Sequence, residues 1–113
     1  MLIADDDAAI RQWIRAVVEV AGHTVLEAAD GEEAWTSVQS KRPDVVLLDV
    51  RMPGRDGLAV AQAVKHDPAL AGTRVVMLSG SPEDAQAALA AGADAYLVKP
   101  CTVVALQAAL VGQ

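Results

Sequence analysis

Apolar and polar positions along the chain follow two rhythms. Short unbroken apolar runs, Met1 to Ala4, Val45 to Leu48, Val75 to Leu78 and Ala95 to Val98, are separated by stretches in which apolar residues recur every three or four positions. Unbroken runs suit strands buried on both faces of a parallel sheet, and three- to four-residue spacing marks one face of an amphipathic helix. Ile10, Trp13, Ile14, Val17 and Val18 predict a first helix, with Gly22 as its C-cap. His23 to Ala28 predicts a second strand, Asp30-Gly31 a turn, and Glu32 to Ser40 a helix with Ala34, Trp35 and Val38 inward. Val45 to Asp49 is the third strand, and Leu58 to Lys65 a helix with Val60, Ala61 and Val64 on one side. After the strand Val75 to Leu78, Ser81 suits an N-cap, Pro82 the first helical position and Asp84 a capping-box place. That helix is expected to run to about Ala91 and stop at Gly92. A strand from Ala95 to Val98 and a helix from Thr102 to Val111 close the pattern.

Strand and helix alternate five times with short connections and without repeats or linkers, so residues 1–113 predict one α/β domain, a (βα)5 doubly wound parallel sheet. In such a sheet, ligands bind beyond the carboxyl ends of the strands. The expected ends carry Asp5, Asp6 and Asp7 after the first strand, Asp49 on the third, Ser79 on the fourth and Lys99 on the fifth. Taken singly, each has an ordinary structural use. An Asp after a strand caps the next helix, and Asp7, just before Ala8, fits that best. A Ser there bonds nearby backbone, and a Lys is solvated. Taken together they need another account. Two carboxylates about 5 Å apart repel by roughly 3 kcal/mol at an effective dielectric near 20, against a domain stability of about 5–15 kcal/mol. A cation relieves that repulsion. Oxygen ligands in small number suit Mg²⁺, which keeps several waters; zinc would want His or Cys, and His23 and His66 lie elsewhere in the pattern.

Composition narrows the classes. The chain of 113 residues is 53% hydrophobic, yet no apolar run approaches the roughly 18 residues of a membrane span. Nine Lys and Arg against 15 Asp and Glu give a formal net charge of -6, which argues against direct nucleic-acid binding by this domain. No basic segment followed by an apolar one stands at Met1, so no secretory signal is expected. A single cysteine, Cys101, excludes an internal disulfide and fits a reducing cytoplasm. Aromatics are scarce and Phe is absent, so the core is expected to be aliphatic.

IADDD, LLDVRMPGRDG, MLSGS and YLVKP, in that order and on those elements, resemble the receiver domain of two-component response regulators over nearly the whole chain. The resemblance implies a flavodoxin-like sheet of order 2-1-3-4-5. It implies Asp49 as phosphoacceptor, taking a phosphoryl group from a sensor histidine kinase or phosphotransfer domain, with Mg²⁺ as cofactor. Asp6 would bind the metal directly, Asp5 through water or as a supporting acid, with Asp49 and the backbone carbonyl of Arg51 completing the protein ligands. Lys99 would pair with a phosphoryl oxygen and Ser79 would bond the phosphoryl group on arrival. Tyr96 matches the aromatic switch whose ring turns inward as Ser79 moves, and Lys99-Pro100 the family's cis peptide. Met52-Pro53 and Gly57 would shape the loop after Asp49, with Gly57 in a backbone conformation other residues avoid, and Gly80 would leave the phosphoryl group accessible. Arg51 and Ser81 stand where the family varies residues that tune dephosphorylation. The face of the fourth helix, fifth strand and fifth helix would carry the output to an effector domain or output protein.

The chain departs from common family patterns in several places. Ser79 stands in place of the more frequent Thr, and Val50 where some members have Trp. Cys101 stands where Phe is common and reads as a small buried hydrophobe. On the output face, Gln86, Ala87, Ala90, Ala91, Val103 and Val104 are small and weakly charged, without the charge pattern of winged-helix-type regulators, so no salt-sensitive dimer is expected on activation. The chain begins inside the first strand, as a domain cut from a larger protein would. Two alternatives compete with a phosphorylation switch. One is an unphosphorylated receiver serving as a protein-binding platform. The other is a Mg²⁺-dependent aspartyl-phosphate phosphatase of the haloacid dehalogenase type, which would want a second Asp where Arg51 stands. A dinucleotide-binding domain fails because acids, not glycines, follow the first strand.

Overall fold

The computed structural model describes residues 1–111. Five strands, β1 (Leu2–Ala4), β2 (Leu26–Ala28), β3 (Val45–Asp49), β4 (Arg74–Ser79) and β5 (Ala95–Val98), alternate with five helices. The helices are α1 (Ala8–Val20), α2 (Gly31–Lys41), α3 (Gly57–His66), α4 (Ala85–Ala90) and α5 (Val103–Val111). The strands form one parallel sheet in the order β2-β1-β3-β4-β5, the flavodoxin-like order.

Strand side chains alternate between the two faces, and the core divides accordingly. Leu2, Ala4, Val46, Leu48, Val75 and Met77 pack against Ala34 and Val38 of α2, Val60, Ala61 and Val64 of α3, and Ala88 of α4. Ile3, Leu47, Val76 and Leu78 pack against Ile14 and Val18 of α1 and Leu106, Ala109 and Leu110 of α5. Both faces of β3 are closed to water, and each of its buried aliphatic side chains contributes about 1.5–3 kcal/mol. No helix among the described residues is long and apolar enough to cross a membrane.

Several local expectations shift. β2 is shorter than the run His23 to Ala28. Gly22, at φ +95°, and the His23 amide, which donates to the Val18 carbonyl, are still closing α1. Trp13 is 40% exposed, so it borders the buried face of α1 instead of filling it. Trp35 lies half-buried against the core, with the Arg55 guanidinium 5.6 Å from its ring centroid. The helix expected from Ser81 begins as a 3-10 turn, Pro82–Asp84, and becomes α-helical only at Ala85. Ala91, expected on the exposed output face, is buried. Gly57 has a different reason from the expected one. Its φ is ordinary, but a Cβ there would sit 1.9 Å from the Asp49 carbonyl oxygen.

Candidate functional site

The carboxyl ends of β1, β3, β4 and β5 deliver Asp5, Asp49, Ser79 and Lys99 to one rim. Carboxylate oxygens of Asp5, Asp6 and Asp49 come within 4.8 Å of one another. Asp5 and Asp49 are buried, and Asp6 is exposed. The three consecutive acids after β1 do different work. Asp7 caps α1, accepting from the amides of Ala9 and Ile10. Asp5 is fixed on every side: Oδ1 accepts the Asp7 amide at 2.9 Å, Oδ2 takes the Lys99 ammonium at 2.8 Å, and its backbone carbonyl accepts Arg11 Nη1 at 2.6 Å. Asp6 faces an open cleft of about 470 Å³ that Arg51 also lines.

Lys99 is the cation inside this cluster. Its Nζ also lies 3.2 Å from Asp49 Oδ1. Burial pulls its pKa down, but the contacts with Asp5 and Asp49 outweigh burial and hold it above the ordinary lysine value. Burial, followed by the charge of Asp5, pushes the Asp49 carboxyl above its usual range, and Lys99 and the Arg51 amide offset only part of that. One ammonium therefore faces three carboxylates. An all-oxygen donor set with residual negative charge suits a hard cation with few protein ligands. The nitrogen and sulfur ligands zinc prefers are absent from the cluster: His66 is exposed and His23 half-buried, both away from it.

Ser79 is 2% exposed. Its Oγ lies 2.5 Å from Asp84 Oδ2, as donor, and accepts the Ser81 amide at 3.2 Å. Arg51 Nη2 donates to both oxygens of Asp84, at 2.8 and 3.0 Å. Asp84 is therefore no capping-box residue. Ser81 caps the turn through the Glu83 amide, and the Asp84 carboxylate caps no backbone amide at the start of α4. Sequence spacing missed this contact because S-P-E-D reads as a helix start. The available signal was Pro82, which favours a tight turn able to bring Asp84 back toward the strand end. Tyr96 is half-buried and donates its hydroxyl to the Ser81 carbonyl, tying β5 to the same turn. Gly80 has open space where a side chain would stand. The Lys99-Pro100 bond is cis. Cys101 is half-buried against the α1 and α5 core, and burial pushes its thiol pKa up.

Residues 1–111 match the family model described as the response regulator receiver domain. The chain is 48% identical over 101 residues to the gliding motility regulatory protein of Myxococcus xanthus, covering 88% of this chain and 13% of that protein. It is 35% identical over 102 residues to the phosphate regulon transcriptional regulatory protein PhoB of Pseudomonas aeruginosa, covering 88% of this chain and 44% of that one. It thus spans less than half the length of these relatives. Among solved structures, the chemotaxis response regulator CheY4 of Vibrio cholerae superimposes with a TM-score of 0.89 at 38% identity, over 97% of this chain and 93% of that one. A response regulator protein from Burkholderia pseudomallei, solved with a phosphorylated aspartic acid, calcium ion and citrate, superimposes with a TM-score of 0.85 at 26% identity, over 96% and 64%. Fold, rim chemistry and sequence similarity agree: the chain belongs to the receiver domain family of two-component response regulators.

Proposed function

We propose that residues 1–113 form one cytoplasmic receiver domain that accepts a phosphoryl group on Asp49 from a histidine kinase or phosphotransfer protein. The observation that carries this reading is the convergence of Asp5, Asp6 and Asp49 around Lys99, at the strand ends where a doubly wound sheet binds ligands. An Asp49 carboxylate oxygen forms a bond to phosphorus as the phosphorus–nitrogen bond of the phosphohistidine breaks. The electron pair stays on the imidazole, which leaves as neutral histidine when its other ring nitrogen carries a proton, and the product is an aspartyl phosphate.

Asp6, Asp49 and the Arg51 carbonyl would hold Mg²⁺, with Asp5 acting through water or as a supporting acid. The bound ion supplies positive charge that offsets the crowding of carboxylate and phosphoryl oxygens. Lys99, already charged and within 3.2 Å of Asp49, neutralises the transferred group. Ser79 donates its hydroxyl to a phosphoryl oxygen. The turn after β4 then moves, and Tyr96, bonded to that turn through the Ser81 carbonyl and already packed against the core, moves with it. The consequence is a changed α4–β5–α5 face, which carries Leu89, Val98, Val103 and Val104 as exposed apolar groups. An effector domain or output protein reads that face; this domain touches neither nucleic acid nor membrane. Its chemistry is confined to its own phosphorylation and dephosphorylation, so it is not an enzyme acting on a separate substrate. The Burkholderia pseudomallei neighbour, solved with a phosphorylated aspartic acid and a calcium ion, supports phosphorylation of an aspartate in this fold.

Beryllofluoride, a phosphoryl mimic, tests the switch. With Mg²⁺ it is expected to shift the Tyr96 amide resonance in the wild type and to leave it in place in Asp49→Asn. A wild type that is unmoved would favour a platform that works without phosphorylation.

A further inference from the structure

The turn between β4 and α4 holds a carboxylate that neither the metal cluster nor the helix needs. Asp84 caps no backbone amide, and Ser81 already performs that task. Both Asp84 oxygens instead serve two residues beside the phosphoacceptor rim: Oδ2 takes the Ser79 hydroxyl at 2.5 Å, and the Arg51 guanidinium spans Oδ1 and Oδ2 at 2.8 and 3.0 Å. The Asp84 side chain is only 15% exposed and Ser79 2%, so water competes weakly for the bond between them, while Arg51 covers the outer side at 73% exposure. Ser79 shares the rim with Asp49 because Asp49 stands opposite Leu78 in the β3–β4 register.

A serine hydroxyl has one proton to give. Here that proton goes to Asp84, and the Ser79 oxygen accepts from the Ser81 amide. An oxygen arriving on Asp49 can therefore gain the Ser79 proton only if Asp84 loses it. Hydrogen bonds to an ionised acceptor are the strong ones, so this exchange is opposed. Arg51, the cation two residues beyond Asp49, is drawn to the same carboxylate and away from any other anion.

We infer that Asp84 is a positioning residue that acts through Ser79 and Arg51 as a latch, holding the switch in its unphosphorylated arrangement and lowering the domain's affinity for a phosphoryl group on Asp49. The inference rests on the reading of Asp49 as phosphoacceptor. A latch taxes binding by the fraction of molecules in which it is open. Asp84→Ala removes the competitor and raises that fraction. Asp84→Asn keeps the shape and one acceptor oxygen but loses the charge, so its effect is smaller.

The test compares wild type, Asp84→Ala, Asp84→Asn and Asp49→Asn as full chains, measuring beryllofluoride affinity with Mg²⁺, melting temperature and amide NMR spectra. Asp84→Ala is expected to bind beryllofluoride about tenfold more tightly than the wild type, and Asp84→Asn about threefold, with no gain in melting temperature. Before any beryllofluoride is added, the amides of Ser79, Ser81 and Tyr96 in Asp84→Ala should lie part-way toward their positions in the wild-type complex. A merely structural Asp84 would lower the melting temperature and weaken binding together. Unchanged or weaker binding in both Asp84 variants, with normal Asp49-dependent binding by the wild type, overturns the latch alone. Wild-type binding that is absent, or that survives Asp49→Asn, overturns the reading of Asp49 and the latch with it.

Discussion

Lys99 Nζ stands between Asp5 Oδ2, at 2.8 Å, and Asp49 Oδ1, at 3.2 Å, and so links the ends of β1, β3 and β5 through one charge. Removing that charge leaves two buried carboxylates facing each other. Lys99→Met keeps most of the apolar stem and is expected to lose about 3 kcal/mol of stability in metal-free buffer at neutral pH. Added Mg²⁺ should restore part of that loss. Urea unfolding with and without Mg²⁺ measures both, and a variant as stable as the wild type without metal would show that Lys99 does not hold the acids together.

The pH dependence has two limbs of opposite sign. Burial and the charge of Asp5 raise the Asp49 pKa in the folded chain. A carboxyl of this kind contributes stability that is full below its unfolded pKa, near 3.9, and is lost as pH rises through the raised folded value. Asp94 behaves oppositely. Burial alone would raise its pKa, but the Lys65 ammonium at 2.7 Å and the Val75 amide at 2.8 Å lower it on balance. Its contribution is present above the unfolded pKa and lost as pH falls through the folded one. In metal-free urea titrations, Asp49→Asn should flatten the decline on the rising-pH side, and Asp94→Asn should flatten the decline on the acid side.

On the proposed function, Mg²⁺ is held by the folded rim and not by the unfolded chain, so adding it should stabilise the domain by mass action. At a hundredfold excess over the dissociation constant the gain is about 2.7 kcal/mol, and each kcal/mol moves Tm by about 4–8 °C for a domain near this size. Asp6→Asn, at an exposed position, should fold normally and lose most of that response. A Tm that rises equally with Mg²⁺ in the variant would remove Asp6 from the metal site.

Two glycines of the rim should respond very differently to a methyl group. At Gly57 a Cβ meets the Asp49 carbonyl oxygen at 1.9 Å, and at Gly80 nothing lies within 4 Å. Gly57→Ala is expected to destabilise by about 2–3 kcal/mol and to impair phosphorylation by displacing the Asp49 backbone. Gly80→Ala should stay within about 0.5 kcal/mol of the wild type. Thermal melts and acetyl phosphate labelling of both variants check the contrast.

The sheet was readable from sequence wherever strands are buried on both faces. Val45 to Leu48 and Val75 to Val76 admit no partner but helices above and below, so their apolar runs are unbroken. The edges were harder. His23 to Val25 has a strand's composition, yet the His23 amide is still closing α1 and pairing with β1 begins only at Leu26. The acids and Lys99 were legible because each ends a strand, which fixes where it points. Asp84 was not, since its role depends on a tight turn folding a local capping sequence back onto Ser79, a long way from what helical spacing describes. Gly57 shows the same limit: its need for a missing side chain comes from Asp49, eight residues before it, and not from its own dihedral angles.

The most direct measurement is intact mass after incubation with acetyl phosphate and Mg²⁺, for the wild type and Asp49→Asn, followed by peptide mapping of the adduct. A single phosphoryl group on the peptide containing Asp49, requiring Mg²⁺ and absent from the variant, is the predicted result. An adduct that persists in Asp49→Asn, or a wild type that takes up no phosphoryl group, would contradict it.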